Sequence, residues 1–203
     1  MKIDINKVKV KKLYTELLDE YLKLYDNVKK HMEHPEWLGE FSRDDYIYLL
    51  NNGANIFVWT YNSKMIAAGM TIPTKQKDLD KFFIQNLNYH EVIDFGPELV
   101  DIDYVGNGLQ NEIIRFLIEY AKENGYKYGV STIHPENKYS IKNFEKNGFE
   151  YIERVELKRG IRNVYKKELR KINSWIGIWN GNIWWKRTKK MYNGLHVHYT
   201  SKL

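Results

Sequence analysis

The residues with the clearest chemical potential are Val105-Gly106-Asn107-Gly108, inside the stretch DIDYVGNGLQNEIIRF that runs from Asp101 to Phe116. Two readings fit a Gly-x-Gly placed here. Asn-Gly after an extended segment is a strong hairpin signal. Between a strand and a helix, the same glycines let backbone N–H groups come close to a phosphate, at the positive end of the helix dipole. The next residues decide between them. Leu109, Ile113, Ile114, Phe116, Leu117, Tyr120 and Ala121 share one helical face, and the run ends at Asn124-Gly125 as a C-cap. A hairpin partner would alternate with period two. VGNG is therefore a strand-to-helix turn, and what stays open is whether it cradles a phosphate or is a plain structural loop.

Other side chains offer less. The chain has no cysteine, which excludes disulfides, cysteine metal sites and thiol nucleophiles. His31 and His34 lie at i,i+3 near a helix end, and His196 and His198 share a strand face. Two ligands without a third make a weak metal site, so no metal is expected. Along the extended run before VGNG, alternation puts Glu98 on one face with Val100 and Ile102, while Asp101 and Asp103 point the other way. Lys138, Lys142 and Lys146 recur every four residues, as an anion contact or as a solvated helix face.

The elements that would position these groups follow from periodicity. Residues 11–32 read as a helix, with Leu13, Leu17, Leu18, Tyr21, Leu24, Tyr25 and Val28 at helical spacing. A second helix starts after Ser42, an N-cap followed by Asp44 and Asp45, and stops at Asn51-Asn52-Gly53. The runs 54–61 and 64–72 form a hairpin around Asn62-Ser63. A helix over 76–87 and a strand over 96–104 lead into VGNG. Beyond its helix come a strand at 126–133, a helix at 138–147, a strand at 150–157 and its hairpin partner at 163–169, across Lys158-Arg159-Gly160.

Composition supplies the limits. With 203 residues and 43% hydrophobic content the chain makes one cored domain, or one with a small appendage. No run approaches the length of a membrane span, and the lysine-rich start MKIDINKVKVKK lacks the apolar core of a signal peptide, so a cytoplasmic address is expected. The net charge of +6 belongs to the tail. Residues 172–203 hold five Lys or Arg and no acid, against 27 basic and 26 acidic residues before them. The main domain therefore gives no electrostatic reason to expect a nucleic-acid partner. The tail holds four of six tryptophans, with Asn180-Gly181 and Asn193-Gly194 between β-rich runs. It reads as a small β-meander that packs on the domain, extends its sheet or supports a homodimer, or that offers an aromatic, basic surface to glycan, anionic lipid or nucleic acid. The division is thus residues 1–170 as the main domain and 171–203 as a β extension.

This order of elements, with two motifs, resembles the GNAT N-acetyltransferase superfamily. Val105 to Gln110 (VGNGLQ) is similar to the family's Arg/Gln-x-x-Gly-x-Gly/Ala pyrophosphate loop. Asn137 to Phe149 (NKYSIKNFEKNGF) is similar to its Asn-x-x-Ala/Ser … Tyr-Glu-Lys-x-Gly-Phe segment. The resemblance covers roughly residues 54–169. Val105 departs from the usual Arg or Gln, and Gln110 from the usual Gly or Ala. Phe144 stands where many members carry a tyrosine that protonates the departing thiolate, so that role does not carry over.

The resemblance implies an α/β (α+β) fold with a mixed, mostly antiparallel sheet, splayed where the cosubstrate acetyl-CoA enters. It implies a pantetheine arm along Leu99, Val100, Asp101 and Ile102, with a strand N–H polarising the thioester. The pyrophosphate would lie on the N–H groups of Gly106, Asn107, Gly108, Leu109 and Gln110, with Val105, Asn137 and Phe144 also against the cofactor. The 3′-phosphate would reach the Lys138–Lys142–Lys146 face. A base at or just before that strand is implied, Glu98 first and Asp94 second; Tyr139 and His134 lie near enough in sequence to be weighed as acids, without assignment. The function implied is acetyl transfer from acetyl-CoA to a primary amine, on a small molecule or a peptide. The alternative is a non-catalytic GNAT-fold binding module that works through its aromatic, basic tail; Phe144 and Val105 favour it.

Overall fold

A computed structural model describes residues 1–169. The extension expected from residue 171 on, with His196 and His198, lies outside the described residues.

Helix α1 (Leu18–His31) presents Leu18, Tyr21, Leu24 and Tyr25 to the sheet. It starts later than the periodicity predicts. Lys9–Lys12 instead form an edge strand, β1, and Leu13 extends the pairing by donating to the Ile56 carbonyl at 2.8 Å. Leu13 is buried, so its helical spacing to Leu17 is coincidental and sheet pairing wins. Three lysines on this edge discourage further pairing. Helix α2 (Arg43–Asn51) opens as predicted with a capping box: Ser42 N donates to Asp45 Oδ2 (2.8 Å) and Asp45 N to Ser42 Oγ (3.2 Å).

Strands β2 (Asn55–Tyr61) and β3 (Lys64–Pro73) form the predicted hairpin. Both turn residues are left-handed, Asn62 at φ 49 and Ser63 at φ 63, as a two-residue primed turn requires. Helix α3 (Gln76–Lys81) ends well before residue 87. Strand β4 (Val92–Val100) begins earlier than predicted and stops at Val100, after which residues 102–104 make a 3-10 turn.

Helix α4 (Leu109–Glu123), strand β5 (Tyr128–Ile133), helix α5 (Lys138–Lys146) and strands β6 (Glu150–Leu157) and β7 (Gly160–Glu168) complete the chain. The sheet order is β1-β2-β3-β4-β5-β7-β6, antiparallel throughout except between β4 and β5. Helices α4 and α5 cover one face and α1 and α2 the other, each over its own apolar cluster.

Two features of β4 shape the site. Its register with β3 skips: Met70 faces Gly96 but Ala68 faces Leu99, so Pro97 and Glu98 share one partner position as a β-bulge. Its parallel pairing with β5 covers only Val92 to Asp94. Beyond that, Ser131 Oγ reaches the Phe95 carbonyl at 3.0 Å, and then the two strands part.

Candidate active site

The glycine loop lies between the turn at 102–104 and α4. Gly106 (φ 85) and Gly108 (φ 75) are left-handed, and a Cβ added to either would meet nothing within 4 Å. Their outer face is therefore open. Gly108 is the N-cap of α4 and no side chain caps the helix. The N–H groups of Leu109, Gln110 and Asn111 precede the first possible intrahelical bond, Glu112 N to Gly108 O at 3.2 Å. Free donors, an open face and a fifteen-residue helix dipole suit an anion.

The polar side chains of the loop turn away from that face. Asn107 Nδ2 donates to Tyr104 O (2.9 Å) and Met1 O (2.7 Å), and its Oδ1 accepts Ile3 N (3.2 Å). Gln110 Nε2 donates to Ser140 Oγ (3.0 Å) and Oε1 accepts Asn143 Nδ2 (2.7 Å), bracing α4 against α5. The donors the loop leaves open are main-chain groups, so Val105 in place of Arg or Gln leaves them intact.

The gap between β4 and β5 is a cleft of 350 Å³, lined among others by Glu98, Val100, Val105, Gln110, Asn137 and Phe144. Val105 and Gln110 bracket the glycine loop, so the loop closes one end. Asp101 N donates to Ile66 O at 2.9 Å on β3, and by strand alternation the N–H of Val100 faces the gap.

Asp101 and Ile102 need correction, because the strand ends before them and neither lines the cleft. The Asp101 carboxylate is buried, accepts Lys64 Nζ at 2.9 Å and caps the following turn through Asp103 N at 3.0 Å. Ile102 rides that turn, half exposed. The alternation argument that joined Ile102 to Glu98 thus stops at Val100.

Asn137 Oδ1 caps α5 by accepting Ser140 N at 3.1 Å. Phe144 is buried edge-on against Phe149 at 4.9 Å while lining the cleft, and offers no proton. Tyr139 is 82% exposed at the rim. Lys138, Lys142 and Lys146 are exposed.

Both candidate bases line the cleft. Glu98 Oε1 is shielded from solvent without a hydrogen-bond partner among the described residues, although the residue as a whole is only half-buried. Burial pushes the Glu98 carboxyl well above the usual carboxylate range; its own backbone N–H works against this and Asp94 adds to it. Asp94 is pushed up to about 7, again first by burial, with Arg159 lowering it and Asp78 raising it. Carboxyls whose pKa values burial raises in this way are suited to proton transfer.

Sequence reasoning missed the opposite wall. It consists of the 34–41 loop, which has no periodicity to announce it, and Arg159, which reads only as turn punctuation. Tyr25 donates its hydroxyl to the Gly39 carbonyl and fixes this loop over the cleft. Trp37 stacks against His34 (4.3 Å) and His134 (5.3 Å), and Trp37 and His134 line the cleft. Arg159 Nη2 donates to Thr132 Oγ1 at 2.6 Å. Leu38, Gly39, Phe41 and Arg159 also border a second, larger groove of 1120 Å³ that reaches Phe82, Phe83 and Leu157. Among the described residues no group of three or more His, Cys, Asp or Glu could hold a metal ion, and no helix is long and apolar enough to cross a membrane.

The acetyltransferase (GNAT) family model matches residues 11–149. No curated protein matches. Among solved structures, an N-acetyltransferase from Staphylococcus aureus Mu50 superposes with a TM-score of 0.64 at 19% identity, over 80% of this chain and 99% of that one. The ribosomal-protein-S18-alanine N-acetyltransferase of Escherichia coli gives 0.62 at 16% identity, over 82% and 97%. A Salmonella typhimurium protein described as an acetyltransferase, solved with its cofactor acetyl-CoA, gives 0.62 at 15%, over 82% and 96%. At such identities the likeness to these structures is one of fold.

Proposed function

Since the chain belongs to the GNAT acetyltransferase family, we propose that it moves the acetyl group of acetyl-CoA to a primary amine, on a small molecule or a peptide in the cytoplasm, by direct attack of the amine on the thioester. The observation that carries this reading is the cleft itself. An uncapped helix N-terminus behind an open glycine loop closes one end, and a desolvated carboxyl with an unpaired oxygen faces its interior.

The residues present fit acetyl-CoA. Free N–H groups from Gly106 to Asn111 would hold the pyrophosphate, and the gap beyond Asp94 leaves a strand edge for an amide-bearing arm. Acetyl-CoA supplies an acyl carbon activated as a thioester. The Val100 N–H, on the gap side of the strand, would donate to the thioester oxygen as negative charge grows there. Glu98, with its raised pKa, takes a proton from the incoming amine more effectively than an ordinary carboxylate would, because its basicity lies closer to that of the amine. Nitrogen bonds to the acyl carbon, the carbon–sulfur bond breaks, and the thiolate takes its proton from solvent, Phe144 having none to give.

Calorimetric titration with acetyl-CoA tests the reading, with Gly108→Trp as a variant whose side chain would fill the open face of the loop. Micromolar binding that the variant loses while it still melts cooperatively, at a temperature lowered by the strain of a side chain at φ 75, supports the cradle and is followed by screening amines for thiol release. Absence of binding up to millimolar acetyl-CoA overturns the enzyme.

A further inference from the structure

The Arg159 guanidinium stands where the cleft joins the larger groove, that of Arg162 is buried close behind it, and neither has a carboxylate partner within ion-pair distance among the described residues. Arg159 borders both cavities and is anchored by the Thr132 hydroxyl alone. Arg162 is 1% exposed, and its contacts are two backbone carbonyls, Ile161 at 2.8 Å and Glu36 at 3.0 Å. Its Nε is buried without a partner. Burial first, and then Arg159, disfavour its charge. A buried cation met only by carbonyls is costly, and a second cation beside it raises that cost until an anion arrives.

The carboxylates nearby do not remove this excess. Glu36 favours the Arg162 charge but is the smallest of the three influences on it, Glu40 pairs with Lys29 (3.0 Å), and Asp78 and Glu156 line the groove without an ion pair to either guanidinium. Asp94, the carboxyl that feels Arg159, still holds its proton to about pH 7.

Resting on the acetyl-transfer reading above, we propose that this junction is an anion subsite, and that the acceptor is an amine carrying a carboxylate or phosphonate close to its nitrogen. Arg159 holds the anion with its planar fork. Arg162 acts as a positioning residue, clamping the 34–41 loop to β7 and adding positive potential behind Arg159. With the anion at Arg159, the amine falls within the same cleft as Glu98, and the apolar wall of Phe41, Phe82 and Phe83 is left for the rest of the acceptor.

The test compares glycine, alanine, methionine and phenylalanine, each with its decarboxylated amine and its α-aminophosphonate, by kcat/KM in the wild type and in Arg159→Gln and Arg159→Lys. Acetyl-CoA binding is titrated on the same samples. At least one amino carboxylate or aminophosphonate should exceed its bare amine by about tenfold or more. Arg159→Gln should collapse that ratio, mainly through the acceptor KM, and Arg159→Lys should restore part of it. The better of the two anionic series identifies the anion. Ratios near one in the wild type, a ratio unchanged in Arg159→Gln, or acetylation of none of the zwitterions by protein that binds acetyl-CoA each overturn the subsite and leave the acetyltransferase standing. Failure to bind acetyl-CoA removes both.

Discussion

Phe95 and Leu99 lie four residues apart on one strand yet point to opposite faces of the sheet, Phe95 into the cluster beneath α4 and Leu99 into the cluster beneath α1. A regular strand would put both on one face. The bulge at Pro97 and Glu98 inserts the residue that reverses the alternation. The strand bends there, pairing with β5 is already lost, and Glu98 stands at the bend facing the cleft.

Glu98→Gln keeps the shape of the side chain and removes the base. Under the proposed mechanism kcat falls by about 10²–10⁴ at neutral pH, while the acetyl-CoA dissociation constant stays within about threefold. The base works as carboxylate, so wild-type kcat/KM rises with pH through the Glu98 pKa. Burial raises that pKa, which puts the acid limb above the ordinary carboxylate range. A limb at ordinary carboxylate pH, or one that survives in Glu98→Gln, rejects the assignment.

Asp94 gives a stability test with a definite sign. Its folded-state pKa of about 7 exceeds the unfolded value of 3.8. Between these values the folded state holds a proton that the unfolded chain has released, so stability falls as pH rises through this window and is level above it. Asp94→Asn removes the effect. It should melt about 2–8 °C above the wild type at pH 8, corresponding to ~1–2 kcal/mol after allowance for solvent in the cleft, with the advantage vanishing below about pH 4. The Asp94 charge also raises the Glu98 pKa, so the acid limb of activity should move to lower pH in the same variant.

The parts legible in the sequence depend on neighbours along the chain. Glycines before an apolar 3.6-residue stripe locate the 105–123 turn and helix, and Ser42 with Asp45 locates the start of α2. What escapes depends on distant partners. Lys9–Lys12 are a strand only because β2 is there to pair with, and Leu13 mimics a helical position while buried as sheet. Nothing local in GPELV shows that one position of β3 faces two residues, so the fates of Leu99, Asp101 and Ile102 could not be read by counting in twos. The Trp37 and Arg159 wall is assembled from segments more than a hundred residues apart, one of them without periodicity.

Asp101 tests the corrected end of β4. Asp101→Asn retains an oxygen for Asp103 N and loses the ion pair with Lys64. With Lys64 half exposed, the loss should be about 1 kcal/mol, or about 2–4 °C in melting temperature. Acetyl-CoA affinity should change less than about threefold. A tenfold loss of affinity at unchanged melting temperature would instead return Asp101 to the cofactor site.

Gly69 links the sheet to the phosphate loop through α4. A Cβ added there would stand 2.3 Å from Ile113 Cγ2 on the first turns of that helix, too close for any real contact. Gly69→Ala must therefore push α4 away from β3, at about 1–3 kcal/mol. Because the uncapped N-terminus of the same helix supplies the proposed phosphate donors, acetyl-CoA affinity should fall together with stability. Ile113→Ala removes the clashing methyl and leaves a cavity of its own, so each single change destabilises for the opposite reason. The double variant should lose less than the sum of the two by about 1–2 kcal/mol in urea melts, and regain acetyl-CoA affinity relative to Gly69→Ala. Strict additivity would mean that the helix is seated by other contacts and that Gly69 has no part in placing the loop.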